Sequence, residues 1–415
     1  MVPNGWKLVE ANDICSSISV GVVIKPSQYY VEKDKGVKAF RSANVREGVI
    51  NDSDWVYFSD EGHKANKKSQ LKVGDVLIVR TGYPGTACVV TPEFEGSNAI
   101  DIVIARPKSD LVTSEYLCSY TNSEIGKSQV LNLKGGMAQQ HLNVGAYKVL
   151  KIKLPPLAEQ QKIANILSTW DKAISTTERL IDNSTQQKKA LMQQLLTGKH
   201  RLLGESGQRF EGEWEEGLLG DLVDVTTGYA FKSNEFVEHK NDSYSIVRMS
   251  DLKEGVLNLT QSARVPKSTV VGLERYKLSE GDFIFGMSGS LDNYATVKNV
   301  DLPCYLNQRV GKIRAKSNSN QDFVSYIYLS DRVRESILNK AAGAAQLNIS
   351  IGDLRKTSIR YPNKKEQQKI ATVLINADKE IDLLEQQLAD LQQEKKALMQ
   401  VLLTGKVRVV VDGES

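Results

Sequence analysis

The residue types that usually perform catalysis do not form a recognisable constellation in this sequence. The nearest approach to a phosphate-binding loop is Gly126-Lys127-Ser128, but Thr121 stands where the first glycine of GxxxxGK[ST] is required. The GxGxxG pattern of dinucleotide-binding proteins does not occur. The four histidines lack ligand spacing, and the four cysteines form no CxxC pair. We therefore predict no catalytic residue, no bound metal and no disulfide framework in this chain.

Polar loops that suit hydrogen bonding to the edges of nucleic-acid bases are more prominent. Arginine or lysine pairs with guanine, and asparagine or glutamine pairs with adenine. Three clusters have this chemistry: residues 80–85 with their counterpart 287–293, residues 134–141 with their counterpart 340–346, and residues 307–309. Each cluster is also compatible with an ordinary solvated loop. With two arginines at equivalent positions added, the candidates are Arg41, Arg80, Thr81, Gly82, Tyr83, Lys134, Gln139, Gln140, His141, Arg248, Ser288, Ser290, Asn293, Gln308, Arg309, Lys340 and Gln346.

Two further groups of cations suit contacts with phosphate, which give affinity without sequence information. Lys64, Lys67 and Lys68 form the first group, and Arg264 with Lys267 forms the second. Surface lysines also serve solubility alone, so the sequence leaves both roles open. The formal net charge of +4 permits a polyanionic partner without requiring one.

The size and composition are those of a globular protein with more than one domain. A chain of 415 residues usually forms two globular units, and 40% hydrophobic with 25% charged residues is ordinary for folded proteins. No stretch approaches 18 consecutive apolar residues, and residues 1–10 lack the apolar core of a signal peptide. We therefore expect a cytoplasmic protein without a membrane segment.

The elements that must position the polar loops occur twice in the chain. Residues 159–199 match residues 366–406 without a gap, with 23 of 41 positions identical at an offset of 207. Trp6 and Trp214 open the two copies at nearly the same spacing. We interpret these two tryptophans, and Trp55, as core anchors. The whole chain is therefore a tandem duplication, which implies approximate two-fold symmetry.

The best-matched part of each copy has the composition of a helix. No glycine or proline occurs between Pro156 and Gly198 or between Pro362 and Gly405, while Gln, Lys, Glu, Leu and Ala accumulate. Ser168 and Asn376 resemble internal N-caps. We therefore predict a short helix, a break and a long helix in each copy, at 157–167 and 170–196, then at 365–375 and 377–403.

The second long helix carries a heptad stripe of apolar residues that is interrupted only by Lys395. Its equivalent in the first copy is more polar and is expected to pair with it in an antiparallel coiled coil, with the globular parts at opposite ends. A helix of about 26 residues spans roughly 39 Å, close to the roughly 34 to 36 Å of one turn of B-DNA, although the coil would also serve simply to join two domains. The predicted pairing residues are Ile174, Ile181, Leu191, Leu195, Ile381, Leu384, Leu388, Leu391, Leu398 and Leu402.

The repeated motifs resemble a known family. LPPLAEQQKIANIL followed by KKALMQQLLTGK, and YPNKKEQQKIATVL followed by KKALMQVLLTGK, are similar to the conserved regions of type I restriction-modification specificity subunits. GWKLVEANDI and GQRFEGEWEEGLLGDL also resemble the entry into each target recognition domain of that family. The resemblance covers essentially the full chain.

The repeat and the resemblance together imply an α+β fold. Two mixed α/β target recognition domains, related by pseudo-two-fold symmetry, would be separated by two long antiparallel helices that form a coiled coil. The implied organisation is recognition domain 1 at 1–155, a first helical region at 156–199, a linker at 200–212, recognition domain 2 at 213–362, a second helical region at 363–406 and a tail at 407–415.

The resemblance further implies a non-catalytic, DNA-binding specificity subunit. Its partners would be double-stranded DNA, two modification (methyltransferase) subunits docked on the helices and, for restriction, translocating nuclease subunits. This chain would bind no cofactor, since S-adenosylmethionine would belong to the modification subunits and ATP with Mg²⁺ to the restriction subunits. The Asn-Pro-Pro-aromatic motif of amino-methyltransferases is missing from the sequence.

Two alternatives remain open: a scaffold protein organised around its coil, and a recognition module of a larger restriction-methylation enzyme. The two copies diverge most in the candidate loops and least in the helices. Since different loops should read different bases, we predict that an asymmetric bipartite DNA target is recognised, with one half read by each domain.

Overall fold

The computed structural model of the protein describes residues 2–132, 141–204, 207–238, 241–341 and 348–411. The chain forms two compact units: unit 1 contains Met1–Leu180 and Leu384–Ser415, and unit 2 contains Ile181–Leu383. Neither unit corresponds to one repeat of the sequence. Each unit combines the front part of one repeat with the end of the other repeat's helical region.

Unit 1 is built on two four-stranded sheets and a two-stranded ribbon. The first sheet has the antiparallel order β2-β9-β6-β7, the second has the order β3-β5-β4-β8 with β4 and β8 parallel, and β1 pairs with β10. The strands are β1 (Lys7–Glu10), β2 (Cys15–Val20), β3 (Tyr30–Val31), β4 (Val37–Phe40), β5 (Val56–Phe58), β6 (Val76–Val79), β7 (Ala87–Val89), β8 (Asn98–Ala99), β9 (Ile102–Pro107) and β10 (Lys151–Leu154). The helices are α1 (Ala11–Ile14), α2 (Asp60–Ala65), α3 (Ser114–Asn122), α4 (Glu124–Asn132), α5 (Val144–Lys148) and the first part of α6 (Leu157–Leu195).

Unit 2 repeats this plan with local differences. Its sheets have the orders β12-β20-β17-β18 and β16-β13-β19, with β13 and β19 parallel, and the ribbons are β11-β21 and β14-β15. The strands are β11 (Glu215–Leu218), β12 (Val223–Thr227), β13 (Ser243–Val247), β14 (Leu252–Lys253), β15 (Val256–Leu257), β16 (Ala263–Pro266), β17 (Phe283–Gly286), β18 (Tyr294–Thr296), β19 (Cys304–Leu306), β20 (Val310–Ala315) and β21 (Ser358–Tyr361). The helices are α7 (Leu219–Leu222), α8 (Gln321–Leu329), α9 (Asp331–Ala341), α10 (Ile351–Arg355) and the first part of α11 (Lys364–Leu402). The predicted α+β class, with two recognition domains and two long helices, is confirmed.

Each long helix is continuous over 39 residues, so the break predicted near Ser168 and Asn376 is wrong. Neither position is followed by a glycine or proline that would end a helix. Leu167 and Leu374, one turn or less before the expected breaks, are buried and favour continuation. At about 1.5 Å per residue each helix is about 59 Å long. The match between a helix of about 26 residues and one turn of B-DNA therefore no longer holds.

The leucine pair of each LLTGK motif completes the core of one unit. Leu402 and Leu403, at the end of α11, are buried in the core of unit 1. Leu195 and Leu196, at the end of α6, are buried in the core of unit 2. The motif therefore stabilises the front part of the other repeat, which explains why two distant stretches of sequence fold as one unit.

Within each unit the two helical segments run antiparallel and share a partly buried ion pair. In unit 1, Lys395 of α11 binds Asp171 of α6 at 2.5 Å, and its side chain is only 15% exposed. In unit 2, Lys188 of α6 binds Asp378 of α11. These pairs are equivalent under the 207-residue offset. The lysine that interrupts the heptad stripe is thus a paired charge in the helix contact.

The EQQ motif fastens the recognition domain to the start of α6. In unit 1, Glu159 accepts hydrogen bonds from the indole of Trp6 at 3.2 Å and from Arg408 Nε at 3.3 Å. The next residue, Gln160, is fully buried and accepts a hydrogen bond from the backbone of Thr113 at 2.9 Å. Its amide donates to the carbonyl of Pro155 at 2.8 Å.

Unit 2 uses the same device at the start of α11. Glu366 accepts from Trp214 Nε1 at 3.3 Å and from Arg201 at 2.6 Å. Gln367 accepts from the backbone of Asn320 at 3.0 Å. Trp6 and Trp214 are 6% and 7% exposed, which confirms their role as core anchors. No helix in the described part of the chain is long and apolar enough to cross a membrane.

Candidate nucleic-acid interface

In unit 1, the strand order of the two sheets brings several predicted residues to one place. Arg41 directly follows β4, whose last carbonyl, that of Phe40, accepts a hydrogen bond from Ile100 N at 2.8 Å. Asp101, next in the chain, directly precedes β9 and binds Arg80, the residue after β6. We name this place sheet end 1: it consists of Val22, Arg41, Arg80, Thr81, Asp101 and His141.

Arg80 is engaged by its own unit. Its Nε donates to the carbonyl of Leu142 at 3.0 Å, and its other nitrogens bind Asp101 and lie against the ring of His141. The side chain is only 11% exposed. The guanidinium therefore holds three chain segments together, which leaves few donors for an outside partner.

The loop after Arg80 projects from the unit. Thr81, Gly82 and Tyr83 are exposed, and Tyr83 is 82% exposed. Gly82 has φ +90°, a conformation that favours glycine. Thr81 Oγ1 lies 2.8 Å from His141 Nδ1, and the two residues form a β-bridge. An exposed aromatic ring on a fixed turn suits contact with a base or a sugar.

Unit 2 has an equivalent arrangement, which we name sheet end 2: it consists of Tyr229, Arg248, Met287, Ser288, Gln308, Arg309 and Asn348. Asn307 N donates to the carbonyl of Val247, just before Arg248, at 3.2 Å. Met287 N donates to the carbonyl of Arg309 at 3.0 Å. Ser288 and Asn348 form a β-bridge that matches the Thr81–His141 bridge under the 207-residue offset.

Arg41 and Arg248 share an unusual environment at these two positions. The Nε of each is buried without a hydrogen-bond partner among the described residues. Their outer nitrogens bind locally, Arg41 to Asp54 at 2.7 Å and Arg248 to the carbonyl of Gln261 at 3.2 Å. Both guanidinium groups are thus partly anchored while 32% and 40% of their side chains remain exposed.

The hairpin between β17 and β18 holds two further candidates. Ser290 is exposed, and its hydroxyl binds Asp292 at 3.1 Å, while Asn293 is half-buried. A hydrogen bond from Arg334 lowers the pKa of Asp292, so this carboxylate stays charged beside the hairpin. The hairpin therefore presents Ser290 next to a neutralised ion pair.

Of the remaining candidates, one is a lysine with a hydrogen bond inside unit 2, and the others lie outside the described residues. Lys340 is exposed on α9 and donates to the carbonyl of Asp353 at 2.9 Å. Lys134, Gln139, Gln140 and Gln346 lie outside the described residues.

The residues predicted for helix pairing lie on the inner stripe of the two long helices. Leu195 and Leu402 are buried, and the other predicted positions are half-buried, each with at least one exposed neighbour in the chain. Leu180 and Leu383, by contrast, are 47% and 71% exposed, because they fall outside the stripe.

Four residues of the sheet ends lie outside the candidate loops predicted from sequence: Val22, Asp101, Tyr229 and Asn348. Tyr229 is 37% exposed, and its carbonyl accepts from Gln308 N at 2.9 Å. Asp101 in unit 1 is the counterpart of Arg309 in unit 2. Asp101 directly precedes β9, which pairs with β6, and Arg309 directly precedes β20, which pairs with β17. Extending the repeat alignment with a shift of one residue would have identified Asp101 as the counterpart of Arg309. No pattern in the sequence marks Tyr229.

Comparison with known proteins gives a consistent result over the full chain. The family described as type I restriction modification DNA specificity domain matches residues 3–183 and 211–393. The type I restriction enzyme MjaVIII specificity subunit of Methanocaldococcus jannaschii is 26% identical, and the alignment covers 98% of this chain and 94% of that protein. The EcoKI specificity subunit of Escherichia coli K12 is 22% identical over 98% of this chain and 89% of that protein.

Solved structures share the fold. The type I restriction-modification S subunit from M. genitalium aligns over 97% of this chain and 98% of its own, with a TM-score of 0.57 and 14% identity. A chain from a structure of type I restriction-modification complex assembly aligns over 98% of this chain and 100% of its own, with a TM-score of 0.59 and 16% identity. With two family matches that span most of its length, the chain belongs to the family of type I restriction modification DNA specificity domains.

Proposed function

We propose that this protein supplies the DNA sequence specificity of a type I restriction-modification complex. Unit 1 reads one half of an asymmetric bipartite target through sheet end 1 and its projecting loop, and unit 2 reads the other half through sheet end 2. The long helices set the spacing of the two units and dock the modification subunits.

One observation carries the assignment of the reading surface. Arginine and hydroxyl side chains chosen for base-pairing chemistry, joined by the amide of Gln308 in unit 2, come from distant parts of the sequence, yet they lie at the equivalent end of each unit. In unit 1 the salt bridge between Arg80 and Asp101 and the bridge between Thr81 and His141 bring them together. Base readout needs such a constellation on a firm scaffold, because side chains must match the donor and acceptor pattern of the groove.

A basic rim supports the same orientation in unit 1. Lys64, Lys67 and Lys68 are exposed and line a shallow groove together with Val22 of sheet end 1. Lysines beside a base-reading surface suit contacts with DNA phosphates, which position the protein on the duplex.

The partners and cofactors follow from this role. Double-stranded DNA and two modification subunits would bind this chain directly, with restriction subunits added for cleavage. S-adenosylmethionine would be bound by the modification subunits, and ATP with Mg²⁺ by the restriction subunits. This chain itself would neither transfer a methyl group nor hydrolyse a nucleotide.

The test is reconstitution of this chain with the modification subunit of the same restriction-modification system. The purified chain alone should show no methyl transfer, whereas the complex should methylate one bipartite motif with two unlike half-sites, as read by sequencing that detects methylated bases. Methyl transfer by the chain alone would contradict the proposal, as would methylation at a palindromic site.

The basic rim has its own test, the salt dependence of DNA binding by the complex. Replacing Lys64, Lys67 and Lys68 with glutamine should flatten the plot of log affinity against log salt by about 0.9 for each phosphate that is no longer neutralised. The matched control replaces the same three residues with arginine, which keeps the charge and should keep the slope. An unchanged slope in the glutamine variant would place the rim away from the DNA.

A further inference from the structure

The two sheet ends differ in which strand carries an arginine at its end. The residue after the central strand is Arg80 in unit 1 and Met287 in unit 2, which are equivalent by offset. The residue before the adjacent strand is Asp101 in unit 1 and Arg309 in unit 2. The arginine therefore stands after the central strand in unit 1 and before the adjacent strand in unit 2. No described residue of unit 2 pairs with Arg309 as Asp101 pairs with Arg80.

This exchange changes what each arginine is free to bind. Arg80 is 11% exposed and paired with Asp101. Arg309 is exposed and makes no salt bridge or side-chain hydrogen bond with any described residue. Only its backbone is fixed, because its carbonyl accepts from Met287 N at 3.0 Å. A guanidinium on a fixed backbone, whose donors bind none of the described residues, can bind an outside acceptor.

The surroundings of Arg309 favour a base over a phosphate. Its neighbours are mostly uncharged groups that can read or contact bases: Asn307 and Gln308, which precede it in the chain, and the ring of Tyr229, which forms a β-bridge with Asn307. The Tyr229 ring is held by Phe231 and Tyr276, at centroid distances of 4.9 and 5.6 Å. Phosphate contacts, by contrast, carry no sequence information and do not require amide neighbours.

We propose that Arg309 reads a guanine in the half-site bound by unit 2, and that Arg80 is a positioning residue that does not read a base. Two parallel N–H donors of arginine match O6 and N7 of guanine in the major groove, a geometry that the single ammonium of lysine does not reproduce. This inference rests on the proposed function, and it adds a base class and a residue to it.

The experiment uses the complex of this chain with its modification subunit. Methylation rates are measured on a panel of duplexes in which each base pair of each half-site is varied in turn. The variants are Arg309→Ala, Arg309→Lys and Arg80→Met. The control is Arg332→Ala, since Arg332 is an exposed arginine of the same unit that lines a groove beside Lys188 rather than sheet end 2.

With wild-type complex, the half-site assigned to unit 2 should contain a G·C pair at which substitution lowers the rate by about 5- to 100-fold. Arg309→Ala should abolish the discrimination at that pair alone, and Arg309→Lys should restore only part of it. Arg332→Ala should leave every preference unchanged. Arg80→Met should lower rates on all duplexes by a similar factor, with base preferences unchanged.

Three results would overturn the inference while leaving the proposed function intact: no G·C pair in that half-site, a uniform loss of rate on all duplexes with Arg309→Ala, or loss of preference at one base pair with Arg80→Met. The uniform loss would identify Arg309 as a phosphate contact. If the wild-type complex methylates no bipartite motif, the proposed function itself fails, so the two failures are distinguishable.

Discussion

Replacing Gln160 with methionine should destabilise unit 1, whereas the same replacement at the neighbouring Gln161 should not. Both residues belong to the repeated EQQ motif, and the sequence gives no reason to rank them. Gln160 is fully buried, while Gln161 is exposed and its side chain donates a hydrogen bond to Asn165, one turn further along the helix. Methionine keeps the length of the side chain and removes its amide, so the comparison isolates the hydrogen bonds.

The magnitude follows from the three groups that Gln160 satisfies. Its amide bonds the carbonyls of Pro155 at 2.8 Å and Leu111 at 3.0 Å, and its oxygen accepts from Thr113 N at 2.9 Å. A buried polar group left without a partner costs about 1–3 kcal/mol. Only the bond to Pro155 is fully buried, and water can reach the other two groups in part. The expected total is therefore about 3 kcal/mol rather than the sum of three full penalties.

The assay is thermal and urea unfolding of the full chain, followed by circular dichroism. For a unit of this size, a loss of about 3 kcal/mol corresponds to a fall in Tm of about 6–12 °C. Gln161→Met should change stability by less than about 0.5 kcal/mol. Gln367→Met, the equivalent change in unit 2, removes fewer bonds and should cost about 2 kcal/mol.

Equal and small effects of Gln160→Met and Gln161→Met would contradict a stabilising role for the hydrogen bonds of Gln160. Such a result would mean that the backbone groups at the start of α6 find other partners, and that the EQQ motif is retained for a surface role. A large effect of Gln161→Met alone would point to the same conclusion.

Three further predictions concern buried charges and thiols. Asp171→Leu should lower the free energy of unfolding in urea by about 2 kcal/mol, because Lys395 loses its partner inside the helix contact. Adding Lys395→Leu should recover that loss, because it completes the apolar stripe. No recovery in the double variant would contradict this prediction. Arg201→Met, which removes the ion pair with Glu366, should lower Tm more than Arg408→Met, which removes the ion pair with Glu159, because Arg201 is 25% exposed and Arg408 is 45% exposed. The reverse order would contradict the importance of burial. Burial raises the pKa of the Cys88 thiol to about 12. At pH 8 the native protein should therefore resist alkylation at this residue until urea is added, as measured by mass spectrometry. Rapid labelling of Cys88 in the native protein would be inconsistent with its burial.

Local composition and the repeat were sufficient to predict the main elements. The heptad stripe and the absence of glycine and proline identified both long helices, because helix formation depends on near neighbours in sequence. The predicted break failed for the opposite reason. Ser168 and Asn376 are competent N-caps in isolation, but the packing of Leu167 and Leu374 in the cores keeps the helix continuous.

The candidate interface was only partly accessible from sequence. Residue chemistry selected Arg80 and Arg309 alike, since both are arginines beside polar loops. Whether an arginine is free depends on a carboxylate about twenty residues away, and that contact exists only because β6 and β9 are neighbours in the sheet. Tyr229 gave no signal at all, because its place at sheet end 2 is set by strand pairing.

Similarity and periodicity along the chain were thus sufficient to identify the duplication, the family and the helices. Which residues act together, by contrast, depends on the tertiary structure. The fold places Leu402 of the second repeat in the core of the first recognition domain and brings Lys395 to Asp171. It also pairs Arg80 with Asp101, whereas Arg309 pairs with none of the described residues. The physical reason is that burial and ion pairing are properties of neighbours in space, and the fold brings together residues that the sequence keeps far apart.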